Sequence, residues 1–342
     1  MSPLLKSNLS PCGFHPLPSC PVGPGNWLGA PTPTFYTVLF MSVDLAALRR
    51  FEIPHLVTVE KTSTGLHVLL IRSPEAQADI FLHGAHVTHF QPDGSAPVLF
   101  LSEASHFEPG KPIRGGIPVI FPWFGGLAGE PEAPAHGFAR TQSWELCSVT
   151  RVENEVEVCL ALQATPESRA LWPHEFELHA RIRVGKQLRW ELEVYNPSTI
   201  RWSFEEALHT YFAVNDVQQV RVKGLAETEY LDKTDAFSRN RQDAEPIGIH
   251  GETDRIYIDT LSTCVVEDPA ATRALTVSKS GSKTTVLWNP WIAKAKAMAD
   301  FGDEEWPEML CVETANAGEN RLTLGPGERH QMTCTLSAAP LP

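Results

Sequence analysis

From Leu56 onward, apolar and polar positions alternate with the short period of strands. Leu56–Glu60 and Leu66–Ile71 flank the turn-like Thr62–Gly65 and predict a hairpin. Asp79–Phe90 reads as a further strand, ended by Pro92–Gly94. Val149–Leu162, broken at Glu153-Asn154, and Glu175–Val194, broken at Gly185-Lys186, predict two more hairpins. Turn signals at such intervals predict an all-β fold, a sandwich of large antiparallel sheets. The only stretch that reads as a helix is Ile292–Ala299, rich in alanine and lysine. No compositional break divides residues 50–338, so one domain over residues 41–342 is expected.

Two of the expected strands carry groups capable of chemistry. Taken with period two, Arg201–Val214 puts Trp202, Phe204, Leu208, Phe212 and Val214 on a core face. Ser203, Glu205, Ala207, His209 and Tyr211 then share a polar or small face, suited to the floor of a ligand site. A lone strand histidine also fits a surface or structural role. In Met309–Gly318, Glu313 is a carboxylate inside an apolar run, on the face of Met309, Cys311 and Ala315. Buried there it needs a partner or a task; on an edge strand it reaches solvent.

Residues 1–40 break the rhythm. They hold eight prolines, one lysine, no arginine and no acidic residue, which predicts a disordered Pro-rich extension. Met41 opens more ordinary sequence, so an upstream start in the gene model is an open reading. The net charge of −13 disfavours nucleic acid or an anionic membrane as partner, so an anionic substrate would need a local cationic cluster. Seven scattered cysteines without a CxxC pair suggest neither a zinc ribbon nor a disulfide framework, and fit a reducing, cytoplasmic setting. A monomer is expected. In His83–His89, an extended strand sends His83 and His86 to opposite faces, which disfavours a metal site.

One stretch stands apart in composition. Lys111–Gly125 reads KPIRGGIPVIFPWFG, and Ala135–Arg140 reads AHGFAR. Two arginines and a histidine sit among glycines, prolines and aromatics. Gly115-Gly116 permits a sharp turn or a close approach beside Arg114, while Pro118 and Pro122 argue against an interior strand. A pocket-lining loop and a surface crossover with solvated arginines both fit. Together with Leu208–Phe212, Asn289-Pro-Trp291 and Met309–Gly318, these motifs resemble the hexose-6-phosphate mutarotases. That group is the glucose-6-phosphate 1-epimerase branch of the aldose 1-epimerase superfamily, and the likeness runs from about Gly84 to about Gly318.

The resemblance implies a β-supersandwich of the galactose-mutarotase type and interconversion of the α and β anomers of a hexose 6-phosphate. It implies Glu313 as base and His209 as acid, with Arg114 and Arg140 gripping the phosphate. His136 and Asp254 would contact the sugar. Some members carry glutamine where this chain has Ala135, so any contribution from Ala135 would come through its backbone. Mutarotation needs only an acid and a base, so no cofactor is expected. An aldose 1-epimerase for unphosphorylated sugars, and a non-catalytic carbohydrate-binding or regulatory protein, are the alternatives. A binding module has no need of both His209 and Glu313.

Overall fold

Strands whose side chains alternate inward and outward build sheets with one dry face. The computed structural model, which describes residues 44–243 and 246–341, shows this in an eight-stranded back sheet. Its order is Arg221–Lys223, Cys264–Asp268, Arg273–Ser280, Arg329–Pro340, Leu188–Tyr195, Glu177–Val184, Glu155–Gln163 and Glu145–Val152. Along Glu155–Gln163 the buried residues are Val156, Val158, Leu160 and Leu162. The outer face carries ion pairs such as Arg183–Glu157, at 2.7 Å. Such exposed pairs contribute about 0–1 kcal/mol each, whereas each fully buried aliphatic or aromatic side chain contributes about 1.5–3 kcal/mol. The dry face therefore decides the register.

A second sheet of eight strands carries the site. It runs Ser238–Arg241, Glu229–Asp232, Thr253–Tyr257, Thr284–Asn289, Met309–Asn316, Glu206–Leu208 and Val119–Ile120, with Tyr211–Ala213 also paired to Met309–Asn316. Thr284–Asn289 and Met309–Asn316 are buried at every position. One face explains itself by contact with the back sheet, where Glu206 and Asn316 reach His330 and Met332. The other face lies under the loops of residues 98–140, which bond to it through Phe100 N–H to Tyr211 O and His209 N–H to Pro118 O, both at 3.0 Å. The pairings within both sheets are antiparallel.

Val57–Lys61, His67–Arg72, Ala76–Phe81 and His86–Pro92 form a separate four-stranded sheet. Here the expected single strand Asp79–Phe90 is in fact the two arms of a hairpin. Gly84 and Ala85, both at positive φ, reverse the chain between them. The expected strand Arg201–Val214 is also interrupted, into Trp202–Phe204, Glu206–Leu208 and Tyr211–Ala213. The first pairs with Leu322–Leu324, outside the site sheet, so strict alternation fails and Glu205 through Phe212 are all buried. The three predicted hairpins and the helix, here Trp291–Ala297, are present. A short helix, Pro166–Leu171, was not anticipated; Thr165 and Ser168 close its first turn as a capping box. The compact unit spans Val43–Pro342, and the expected extension over residues 1–40 lies outside the described residues.

Candidate active site

Strand register alone brings the two expected catalytic groups together. Leu208 pairs with Thr314 and Tyr211 with Cys311, so the register is the same on both sides of the gap at residues 209–210. His209 therefore faces Glu313 as a cross-strand neighbour, and the two side chains meet at 3.2 Å, Nε2 to Oε1. The next row of the same face continues through Cys311, Trp288 and Asp254. Asp232 pairs with Arg255, so the following position, Lys233, faces Asp254, and its Nζ lies 2.9 Å from the carboxylate. Aromatic rings wall in the histidine. Tyr211 stacks on it at 4.8 Å, and Trp288 and His136 meet it edge-on at 5.9 and 5.6 Å.

This burial sets the electrostatics. Side-chain exposure is 8% for His209 and 1% for Glu313. Burial, then the charges of Arg140 and Arg114, hold the His209 imidazole well below its ordinary pKa. Burial, then the neighbouring Asp254, push the Glu313 carboxyl well above the usual range, against the pull of Lys233 and Arg140. Both partners thus favour their neutral forms, which leaves one proton between them, on the Glu313 carboxyl. His136 is likewise held neutral by burial and by Arg140.

The loop system over the sheet supplies the cations. Gly116 and Gly137 allow its folding: a Cβ on either would lie 2.3 Å from Val87 O or 1.9 Å from Phe121 O. The close approach is therefore to the chain itself. Arg114, half-buried, donates to both oxygens of Asp300 and to Tyr211 Oη, each at 3.1 Å. Burial works against its charge, but Tyr211 and Asp300 more than offset this and raise its pKa. Arg140 is 8% exposed and meets no carboxylate among the contacts of the described residues; its Nη2 donates to Ala135 O at 2.8 Å. Burial and Arg114 lower it to about 10, so it remains cationic at neutral pH. Ala135 is thus engaged through its backbone, by Arg140. His136 sits at φ 65, its Nδ1 accepting from Gly125 N–H at 3.3 Å. Glu205 holds this loop down, accepting from Phe124 N–H and Gly318 N–H, both at 2.8 Å.

Six of the seven sequence-predicted residues therefore gather their side chains around one point: Arg114, His136, Arg140, His209, Asp254 and Glu313. Asp300, Lys233, Trp288 and Glu205's tie between loops were missed. Asp300 and Lys233 are ordinary surface-type residues in the sequence, and only the strand pairing reveals that Lys233 opposes Asp254. His83 and His86 each contact a backbone carbonyl, of Lys111 and Gly115, at 2.7 Å. Burial lowers His86 to about 3, so it acts as a neutral strut under the arginine loop. Asn289 is structural too, donating to Trp306 O and Met309 O at 2.8 and 2.9 Å.

The family model for aldose 1-epimerase matches residues 67–337. The chain belongs to that family. Among aldose 1-epimerase relatives, a provisionally named glucose-6-phosphate 1-epimerase of Cenchrus ciliaris is 37% identical, over 82% of this chain and 87% of that protein. A protein of Escherichia coli K12 with the same provisional name is 35% identical, over 75% and 85%. The crystal structure of a provisionally named mutarotase from Salmonella typhimurium superposes with a TM-score of 0.79 at 29% identity, covering 84% of this chain and 95% of that one. The aldose 1-epimerase fold is therefore shared across the whole region that holds the site. Among the described residues no helix is long and apolar enough to cross a membrane.

Proposed function

We propose that this protein interconverts the α and β anomers of glucose 6-phosphate by acid/base ring opening. The observation that carries the reading is the buried 3.2 Å contact between His209 and Glu313, beneath two arginines. Glu313 takes the proton of the anomeric hydroxyl while His209 protonates the ring oxygen, and the ring opens to an aldehyde. Rotation about C1–C2 presents the other carbonyl face, and closure reverses both transfers. The pair already holds one proton; moving it from Glu313 to His209 arms acid and base together without exchange with solvent. Asp254 and His136 are proposed to contact the sugar hydroxyls.

The phosphate is proposed to lie at Arg140 and Arg114, which are near enough for each charge to act on the other. Its two negative charges would offset the cations that depress His209, so substrate entry would itself favour protonation of the acid. Asp300 already occupies one edge of Arg114, an observation that favours the second reading, an epimerase for unphosphorylated aldoses. Anomer exchange measured by NMR on glucose 6-phosphate, with glucose in parallel, decides between them. Faster exchange of the phosphorylated sugar is expected. Equal exchange of both sugars selects the second reading, and no acceleration of either removes both.

A further inference from the structure

Lys233 sits at the start of the turn between Glu229–Asp232 and Ser238–Arg241, remote in sequence from every recognisable motif. The turn is built to aim it. The Asp232 carboxylate caps it, accepting from Thr234 N–H at 2.9 Å and from the Thr234 hydroxyl. Ala236 and Phe237 both take left-handed backbone, at φ 48 and 59, which non-glycine residues seldom adopt. The Phe237 ring is left 57% exposed at the tip, so apolar burial does not hold the turn in place. Lys233 instead points inward, its Nζ 2.9 Å from Asp254 Oδ2 and 5.7 Å from the Phe124 ring centroid.

We propose that Lys233 is a positioning residue for this reaction: it holds the Asp254 carboxylate in place and offsets its charge beside Glu313. The inference rests on the assignment of Glu313 as base made above. Glu313 and Asp254 lie on one buried face, one row apart, with the strand Thr284–Asn289 between theirs. Asp254 opposes ionisation of Glu313, and Lys233 and Arg140 favour it. Among the described residues, His136 and Arg114 belong to the same charged cluster, and three further groups lie close. Lys294 lies 3.9 Å from Asp254 but is drawn off by Glu252 at 3.0 Å. His209 contacts Glu313 at 3.2 Å, and Cys311 lies between the two carboxylates on the face, its thiol pushed well up by burial. Lys233 is thus the nearer of the two lysines paired with Asp254 among the described residues, delivered by the turn that follows Glu229–Asp232.

The test follows the Glu313 carboxyl by NMR in protein carrying ¹³C-labelled glutamate side chains, with Glu313→Gln to assign the signal. Anomer exchange on glucose 6-phosphate is recorded against pH in the same samples. Lys233→Met should move the Glu313 midpoint, and with it the alkaline limb of kcat/KM where the pair loses its one proton, upward by about one pH unit, a modest shift for loss of a nearby opposite charge. Lys233→Arg should restore it, Asp254→Asn alone should lower it, and Asp254→Asn added to Lys233→Met should cancel most of the rise. A merely structural lysine would lower the rate and leave both midpoints in place. An unmoved midpoint in folded Lys233→Met, or in Asp254→Asn, overturns the proposal. Should the midpoints move as expected while wild-type protein leaves the anomers at their spontaneous rate, the charge balance stands and the proposed reaction falls.

Discussion

The strands Glu206–Leu208 and Met309–Asn316 carry a histidine–glutamate contact on each face, and the two behave in opposite ways. In front, His209 meets Glu313 at 3.2 Å; behind, His330 from the back sheet meets Glu206 at 3.0 Å. Each has one buried carboxylate, and each glutamate leaves its Oε2 without a hydrogen bond. Behind, Asn316 also donates to Glu206 at 2.8 Å, and the bond to Glu206 raises His330 despite burial. In front, deeper burial and then the arginines on the overlying loops lower His209. Chemical identity of a pair therefore does not decide its role. What decides is whether the surroundings favour the proton on the histidine, as behind, or on the glutamate, as in front.

Four changes would break or sharpen this contrast. The largest effect is expected from the front pair: Glu313→Gln and His209→Asn should each slow anomer exchange by about 10²–10⁴-fold in a folded protein. Glu206→Gln behind should leave the rate far less affected, and similar losses from both faces would dissolve the distinction. Next comes Arg140→Ala, which removes a charge that sets the front apart. It should lower kcat/KM on glucose 6-phosphate by about 10–150-fold, the worth of one charged hydrogen bond. It should also raise the His209 midpoint toward that of His330 in an NMR titration. An unchanged midpoint would mean that burial alone accounts for the difference.

The third change concerns stability. Glu206→Gln should lower the free energy of unfolding in urea by about 1–3 kcal/mol, since it weakens a charged hydrogen bond between the sheets. A neutral result would make the rear pair incidental. The smallest effect is the pH dependence of that pair. His330 has a raised pKa in the folded state, so its contribution is fully present below the unfolded value of about 6.5 and is lost as pH rises through the folded value. The stability gap between wild type and His330→Gln should therefore narrow over that alkaline span. A gap that widens with pH would reverse the assignment.

How much of this was legible beforehand differs between local and long-range features. Hairpins announced by Glu153-Asn154 and Gly185-Lys186 were readable, because a turn and alternation are local signals. The break after Phe204 was not, because Glu205 is buried by hydrogen bonds to Phe124 and Gly318, far off in sequence. Likewise Gly84 looked like a residue within a strand, since nothing local says that Ala85 will join it at positive φ. For the site, resemblance supplied His209, Glu313 and the arginines, whereas period two alone suggested only a polar face. Asp300 on Arg114 and Lys233 on Asp254 are products of tertiary pairing, with no trace in composition or spacing.

The unbroken register between Glu206–Leu208 and Met309–Asn316 has a consequence for how this chain can change length. His209 and Glu313 are separated by a long run of sequence, yet their spacing is set by one ladder. Residues added or removed in the connecting loops between them leave the acid–base distance untouched. A single residue inserted within either strand turns one partner toward the back sheet and separates the pair. Grafts, permuted termini and fused domains should therefore be tolerated at those loops, while the eight residues of Met309–Asn316 admit no insertion at all.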